Sequence, residues 1–496
     1  MDLTQWCQLD EAIHISETDE EYKQYAGFDY SKKMIEQLAE LKLSNSKIFL
    51  NYFSSPRTLV LGALEHIAYS KTKRLELELH NARNMKIVSS THEFNSSPVN
   101  WNTWRQFNSF EGSHVNRQRV FDEFITKTKY ISPIIEERFL SIKQAYEEYQ
   151  GAVDTGTSQR NKINPLSAYL ENENVSYDEL IDFIKSLGDR AKKPFRDELN
   201  NFAKKILGRE PEYYDDFYFF RNKAFSDMNT NFLKVEPLNE VKKILAFMGF
   251  DVNKIRFDTE NRKNKYPSPI CFFVHIPNDI RVLYKKESPY FDLQGCFHEV
   301  GHAIHANSID PKNEYWTKYR IPEGITEIFS IFLERLTKNG SYLRSLLSSP
   351  NKDFDEIVNE LKSRNRFMEL FFVTFYTANS LMKLEYWSKN LTVEEACDVY
   401  SKLINEYLGF EVPGEYWLLH HILPEAIMYV PSYLLAAVRA AELDLYMQNA
   451  FGDTWWTEVE AGRELREIMK PGAKIHLPRF SKLDSNIFMN EITKEV

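Results

Sequence analysis

The stretch Leu293-Gln294-Gly295-Cys296-Phe297-His298-Glu299-Val300-Gly301-His302-Ala303-Ile304 decides how this chain reads. It is an apolar run of helical character holding His-Glu-x-x-His at 298–302. On a helix, positions i and i+4 share a face, so His298 and His302 can grip one metal ion together. Glu299 projects beside them, where it can hold the water that a metal activates. Two ligands and a general base within five residues is the zinc-hydrolase pattern. One such match would arise by chance in roughly 2% of sequences this long, so support is needed elsewhere.

Zinc requires a third protein ligand and an open water position to be catalytic. The metzincin spacing would need a glycine at position 305 and a histidine at 308; the chain has His305 and Ser308, which excludes it. His305, three residues after His302, reads as a packing residue or as support for a ligand. Beyond the polar loop 307–321, Pro322 opens a second helix, Glu323-Gly324-Ile325-Thr326-Glu327 onward, stopping near Asn339-Gly340. A helix returning after such a loop can set a carboxylate opposite the two imidazoles. Glu323 and Glu327 share a face, and geometry alone does not choose between them. Glu334, two turns further on that face, is either an exposed charge or a carboxylate that orients a ligand.

The remainder of the chain bounds the setting. Its 496 residues, 43% apolar and 14% aromatic, suffice for a large core or for fused lobes. A net charge of −10 argues against a nucleic-acid partner. Cys7, Cys271, Cys296 and Cys397 form neither a CxxC pair nor a disulfide framework, which suits a reducing interior, and Cys296 reads as a plain buried thiol. The first residues carry no basic flank followed by an apolar run, and no segment approaches ~18 apolar residues, so neither a secretory signal nor a membrane span is expected. The compartment expected is the cytoplasm.

Helical periodicity covers roughly 31–43, 59–88, 113–150, 176–207, 238–249, 354–388, 393–408 and 431–450. Residues 154–165 have a linker-like composition. The main break in helicity is 256–287, where Cys271–Ile276 and Ile280–Tyr284 flank the turn Pro277-Asn278-Asp279, predicting a hairpin or small sheet just before the metal helix. Its edge could pair with an extended peptide or could serve as a brace. The expected fold class is mainly α, with an N-terminal helical lobe at 1–207 and a catalytic lobe at 208–496.

Taken together, Phe297-His298-Glu299-Val300-Gly301-His302-Ala303-Ile304-His305 resembles the metal helix of the gluzincin peptidases, in particular the group of thimet oligopeptidase, oligoendopeptidase F and the carboxypeptidase Taq family. In that group the second helix carries a ligand Glu, a Ser at +3 and a Glu at +7. Glu327, Ser330 and Glu334 fit this spacing, which favours Glu327 as the third ligand. Asp279-Ile280-Arg281-Val282 is similar to the Asp-x-Arg-x-Thr motif of the carboxypeptidase Taq family, with Leu283 at the Thr position. His421 followed by Tyr429-Val430-Pro431-Ser432-Tyr433 is similar to that family's His and Tyr-Phe-Pro-Ser/Thr-Tyr pair, and the His421-to-Tyr433 interval also matches the thimet group. The match is specific over about 265–335 and 415–440. Two departures stand out: Leu418-Leu419 replace a Gln-Asp pair, and an Ile-Arg-x-x-Ala-Asp motif is missing. Both argue against strict carboxypeptidase activity.

The resemblance implies a two-lobed helical body with a deep central cleft and a small sheet beside the zinc helix. It implies one zinc ion on His298, His302 and Glu327, Glu299 as general base, and Tyr433, His421 or Tyr429 as donors to the developing oxyanion. His305 and Glu334 would support the ligands. Arg281 would bind a substrate carboxylate or make a structural ion pair. The expected activity is an oligopeptidase acting on short peptides. The alternatives are a metallocarboxypeptidase and a non-catalytic peptide-binding protein on the same fold.

Overall fold

The computed structural model describes all residues except 1, 54, 150–162, 220–227, 263–264, 267, 287, 348–353, 421–426, 476–482 and 494–496. The chain is mainly helical, with two small sheets among the described residues. It divides into two compact units. The first holds Met1–Ala63, Met228–Asn365 and Leu435–Asn490; the second holds Leu64–Asp227, Arg366–Leu434 and Glu491–Val496. This division differs from the expected one after residue 207. Three helices, Arg57–Lys86, Phe354–Lys389 and Val430–Phe451, each begin in one unit and end in the other, so each unit is built from discontinuous segments.

The first unit contains the expected hairpin and an additional strand. β4 (Ile270–His275) and β5 (Asp279–Leu283) pair antiparallel, and β3 (Ile255–Asp258) joins β5 in parallel, giving the order β3-β5-β4. β1 (Val88–Phe94) and β2 (Ser97–Asn100) form a separate hairpin in the second unit. Side chains alternate along β4 and give its two faces different neighbours. Phe272 and Val274 join Ala26 and Leu283 in a buried cluster, with Ile15, Tyr22 and Tyr25 of the N-terminal helix Leu3–Ala26 packed against it. Phe273 points the other way, its ring 6.3 Å from that of His302.

The N-terminal helix had no strong apolar period, which is why periodicity missed it. Its start is nevertheless written in a capping box, Asp2 accepting from the Gln5 amide and the Gln5 side chain accepting from the Asp2 amide. This helix also ties down β4: His14 donates from Nε2 to the Phe273 carbonyl at 2.9 Å.

The metal helix runs Pro289–Ser308 and the second helix Glu323–Leu336, each starting at or beside a proline. Gly301 allows them to touch. A Cβ there would lie 2.2 Å from the Phe329 carbonyl oxygen and 2.6 Å from the Ser330 Cα, so no other residue permits the approach without moving backbone. Val300, Ile304, Ile328, Phe332 and Leu333 fill the apolar sides of this pair.

Candidate metal centre

The close crossing at Gly301 sets Glu327 over the two histidines. Glu327 Oε2 lies 3.4 Å from His298 Nε2 and 3.6 Å from His302 Nε2. The two imidazole rings are 5.1 Å apart and nearly perpendicular, at 83°. One candidate ligand atom from each of His298, His302 and Glu327 falls within 4.8 Å of the others, and among the described residues no other His/Cys/Asp/Glu group does so. Glu323, one turn earlier on the same helix, is not in the group.

This donor set fits zinc. Tetrahedral arms of about 2.0–2.2 Å put neighbouring ligand atoms roughly 3.3–3.6 Å apart, matching the two spacings above. The atoms behind the ligands are also arranged for it. His298 donates from Nδ1 to Glu334 Oε2 at 3.0 Å, a bond that fixes the tautomer and leaves Nε2 toward the centre. Glu327 Oε2 accepts from Ser330 Oγ at 2.7 Å. Glu334 is itself held by Lys338, 2.8 Å from its Oε1. Lys338 was not anticipated, although its i+4 spacing from Glu334 on a helix was a usable signal.

The electrostatics follow from burial and these pairings. Burial pushes His302 down to about 4, keeping it neutral as a ligand must be. Burial also opposes charge on His298, but the bonds to Glu327 and Glu334 outweigh it and raise His298 well above its ordinary value. Glu334 resists its burial through Lys338 and His298 and is held down to about 2. Glu299 goes the opposite way. Burial, aided by Glu327 and opposed by His298 and a hydrogen bond from the Cys271 amide, pushes it up to about 7. A carboxylate so placed is poised to take and return a proton near neutrality. The influence of the Cys271 backbone on Glu299 was invisible in the sequence, because it comes from a backbone group.

Comparison with known proteins adds the fold. No protein-family model matches the chain, and no curated protein matches it in sequence. Solved structures do match in shape. The Trypanosoma cruzi metallocarboxypeptidase 1 superposes with a TM-score of 0.58 at 14% identity, covering 99% of this chain and 95% of that one. A carboxypeptidase from Deinococcus radiodurans gives 0.59 at 13%, covering 98% and 96%. A Bacillus anthracis structure assigned as an oligoendopeptidase F gives 0.57 at 13%, covering 98% and 84%.

The chain has the gluzincin metallopeptidase fold.

The remaining candidates of this gluzincin-like chain fall in three places. His305 is fully buried against Phe329, ring centroids 4.5 Å apart, with neither ring nitrogen hydrogen-bonded; burial and then His302 push it down to about 3. It is a neutral packing residue behind the ligands. Arg281, in the first unit, is closed onto two carboxylates. It grips Asp279 with Nε and Nη2 at 3.1 and 2.7 Å and Asp19 with Nη1 at 2.7 Å, and its guanidinium carbon sits 4.7 Å from the centroid of the Tyr22 ring. Of the two readings offered by the sequence, this geometry is that of a structural ion pair. Tyr429 and Tyr433 belong to the second unit. Their half-buried rings lie 5.2 Å apart, and Tyr433 packs 5.0 Å from Tyr376. His421 lies outside the described residues, as does most of the linker expected at 154–165. No described helix is long and apolar enough to cross a membrane.

Proposed function

We propose that this protein is a zinc-dependent peptidase hydrolysing short peptides, with His298, His302 and Glu327 as metal ligands. The observation that carries the reading is the convergence of these three side chains beside Glu299, backed by Ser330, Glu334 and Lys338. A zinc ion bound there supplies Lewis-acid polarisation of the peptide carbonyl and lowers the pKa of a water toward ~7.

The chain's own residues do the rest. Glu299 accepts a proton from the attacking water and returns it to the amine nitrogen as the peptide bond breaks. Glu334 keeps the His298 ring in orientation, and Ser330 does the same for the Glu327 carboxylate. Tyr433, with His421 and Tyr429 as further candidates, donates a hydrogen bond to the oxygen that gains negative charge.

Between the two modes of cleavage, the state of Arg281 favours an oligopeptidase. A carboxypeptidase needs a cation for the substrate's terminal carboxylate. Arg281 is the one that the sequence offered, and it is spent on Asp279 and Asp19. The test is a peptide blocked by N-acetylation and C-amidation, assayed with and without a chelator. Chelator-sensitive internal cleavage is expected. Hydrolysis confined to peptides with a free C-terminus would assign the carboxypeptidase reading instead, and no hydrolysis of any peptide by zinc-loaded protein would leave the non-catalytic one.

A further inference from the structure

The N-terminal helix Leu3–Ala26 carries no metal ligand and no catalytic candidate, yet it reaches the strand beside the metal centre. His14 lies 259 residues before Phe273 in the chain, and its Nε2 is 2.9 Å from the Phe273 carbonyl oxygen. Burial, then the Lys42 charge, push His14 down to about 4, so the ring is neutral. A carbonyl only accepts, which places the single ring proton on Nε2. The same ring packs edge-on against Tyr319, centroids 4.9 Å apart. Tyr319, at the end of the short helix Tyr315–Tyr319, accepts from the Ile276 amide at 3.2 Å. Asn307, in the last turn of the metal helix, donates from Nδ2 to the Pro277 carbonyl at 2.9 Å.

These ties matter because β4 stands at the end of its sheet. Among the described residues it pairs with a strand on one side only, so side chains must hold the rest of its backbone. The face that β4 turns to the metal centre carries Cys271 and Phe273, two residues apart. Phe273 places its ring 6.3 Å from that of His302. The Cys271 thiol feels the Glu299 charge, and the Cys271 backbone in turn influences Glu299. The strand supplies no ligand: His298, His302 and Glu327 all stand on the two helices that meet at Gly301. A displaced β4 would therefore leave the metal ligands together while moving the wall beside Glu299.

We propose that His14, with Tyr319 as its partner, is a positioning residue for the hydrolysis: its hydrogen bond to the Phe273 carbonyl fixes β4 so that Cys271 and Phe273 keep their places beside Glu299 and His302. The inference rests on the peptidase reading and extends it to a residue that touches neither metal nor substrate. It makes the N-terminal helix part of the catalytic apparatus.

The experiment compares the zinc-loaded full chain with His14→Leu, which lacks the donor, and His14→Gln, whose side-chain amide can donate to the same carbonyl. Bound zinc, kcat and KM are measured on the blocked peptide. In His14→Leu, kcat per bound zinc should fall by about 10- to 100-fold, the range that a misplacement of about 1 Å costs. KM should change less, zinc should stay at the wild-type stoichiometry, and His14→Gln should recover most of the loss. A role in stability alone would lower zinc and activity together and leave kcat per bound zinc as it was, which overturns the proposal. Equal losses in the Leu and Gln variants also overturn it, since ring packing rather than the hydrogen bond would then be responsible. If His14→Leu does not fold, Tyr319→Phe decides. It keeps the ring against His14 but removes the hydroxyl from the Ile276 amide; kcat should fall with zinc retained, and wild-type kcat overturns the proposal. A wild type silent toward every peptide removes the peptidase reading and this inference with it, a result distinct from an active wild type matched by its variants.

Discussion

The metal helices and β5 treat their charges in opposite ways. At the helix crossing, His298, His302 and Glu327 bring one ligand-type atom each toward one point, and Glu334 and Ser330 orient His298 and Glu327. On β5, the Arg281 guanidinium is closed onto Asp279 and Asp19, both its planar edges occupied. Both clusters are partly buried and both are salt-bridged. The difference is convergence: the first set leaves a shared position for something else, and the second satisfies itself. Sequence motifs single out both clusters equally, and only the geometry separates a site prepared for a ligand from one that is internally paired.

Substitutions along this contrast should produce a graded series. The largest effect belongs to Glu327→Ala, which removes the proposed third ligand; bound zinc measured by competition with a chromophoric chelator should be lost, while Glu323→Ala should keep it. The reverse result would move the third ligand one turn toward the helix start. Next comes Tyr433→Phe. Its turnover should fall by about 10²–10³ with zinc content unchanged, the usual loss for one oxyanion donor; a silent variant would return Tyr433 to simple packing with Tyr376 and Tyr429. Glu334→Gln, which weakens the orientation of His298, should lower zinc affinity by about 10–100-fold. An unchanged affinity would show that Glu334 answers to Lys338 rather than to the metal site. Smallest in catalysis is Arg281→Met. With the side chain 13% exposed, breaking the pair should cost about 1–3 kcal/mol in denaturant unfolding, below the cost for a fully buried pair, and leave kcat/KM nearly as it was. A large rise in KM for peptides with a free C-terminus would make Arg281 a substrate ligand after all.

How much of this was legible in advance differed by region for physical reasons. The metal helix, the second helix and the β4–β5 hairpin were readable because each has a local signal: i,i+4 histidines, a proline at a helix start, and β-favouring runs around a turn. Glu327 needed more than pattern. It shares a face with Glu323, and the choice is made by how closely the helices cross at Gly301, a tertiary fact. β3 was missed because its parallel pairing with β5 has no tight turn between the strands to announce it. The N-terminal helix was missed because its apolar residues do not form one stripe, although its capping box was present. Three long helices run from one compact unit into the other, and composition does not register such a crossing.

The Lys338–Glu334 pair and the Cys271 amide are instructive in the same sense. The first was encoded at helical spacing and simply overlooked; the second could not have been read, since any residue at position 271 offers the same amide. The fold comparison agrees with the motif-level resemblance at only 13–16% identity.

The central claim is that Glu299 moves the proton while the other three residues hold the metal, and Glu299→Gln tests it most directly. The variant should bind zinc with the wild-type stoichiometry and fold with the wild-type Tm, while peptide hydrolysis falls by about 10²–10⁴. Hydrolysis at more than about a tenth of the wild-type rate, with zinc still bound, lies outside that range and would contradict the account.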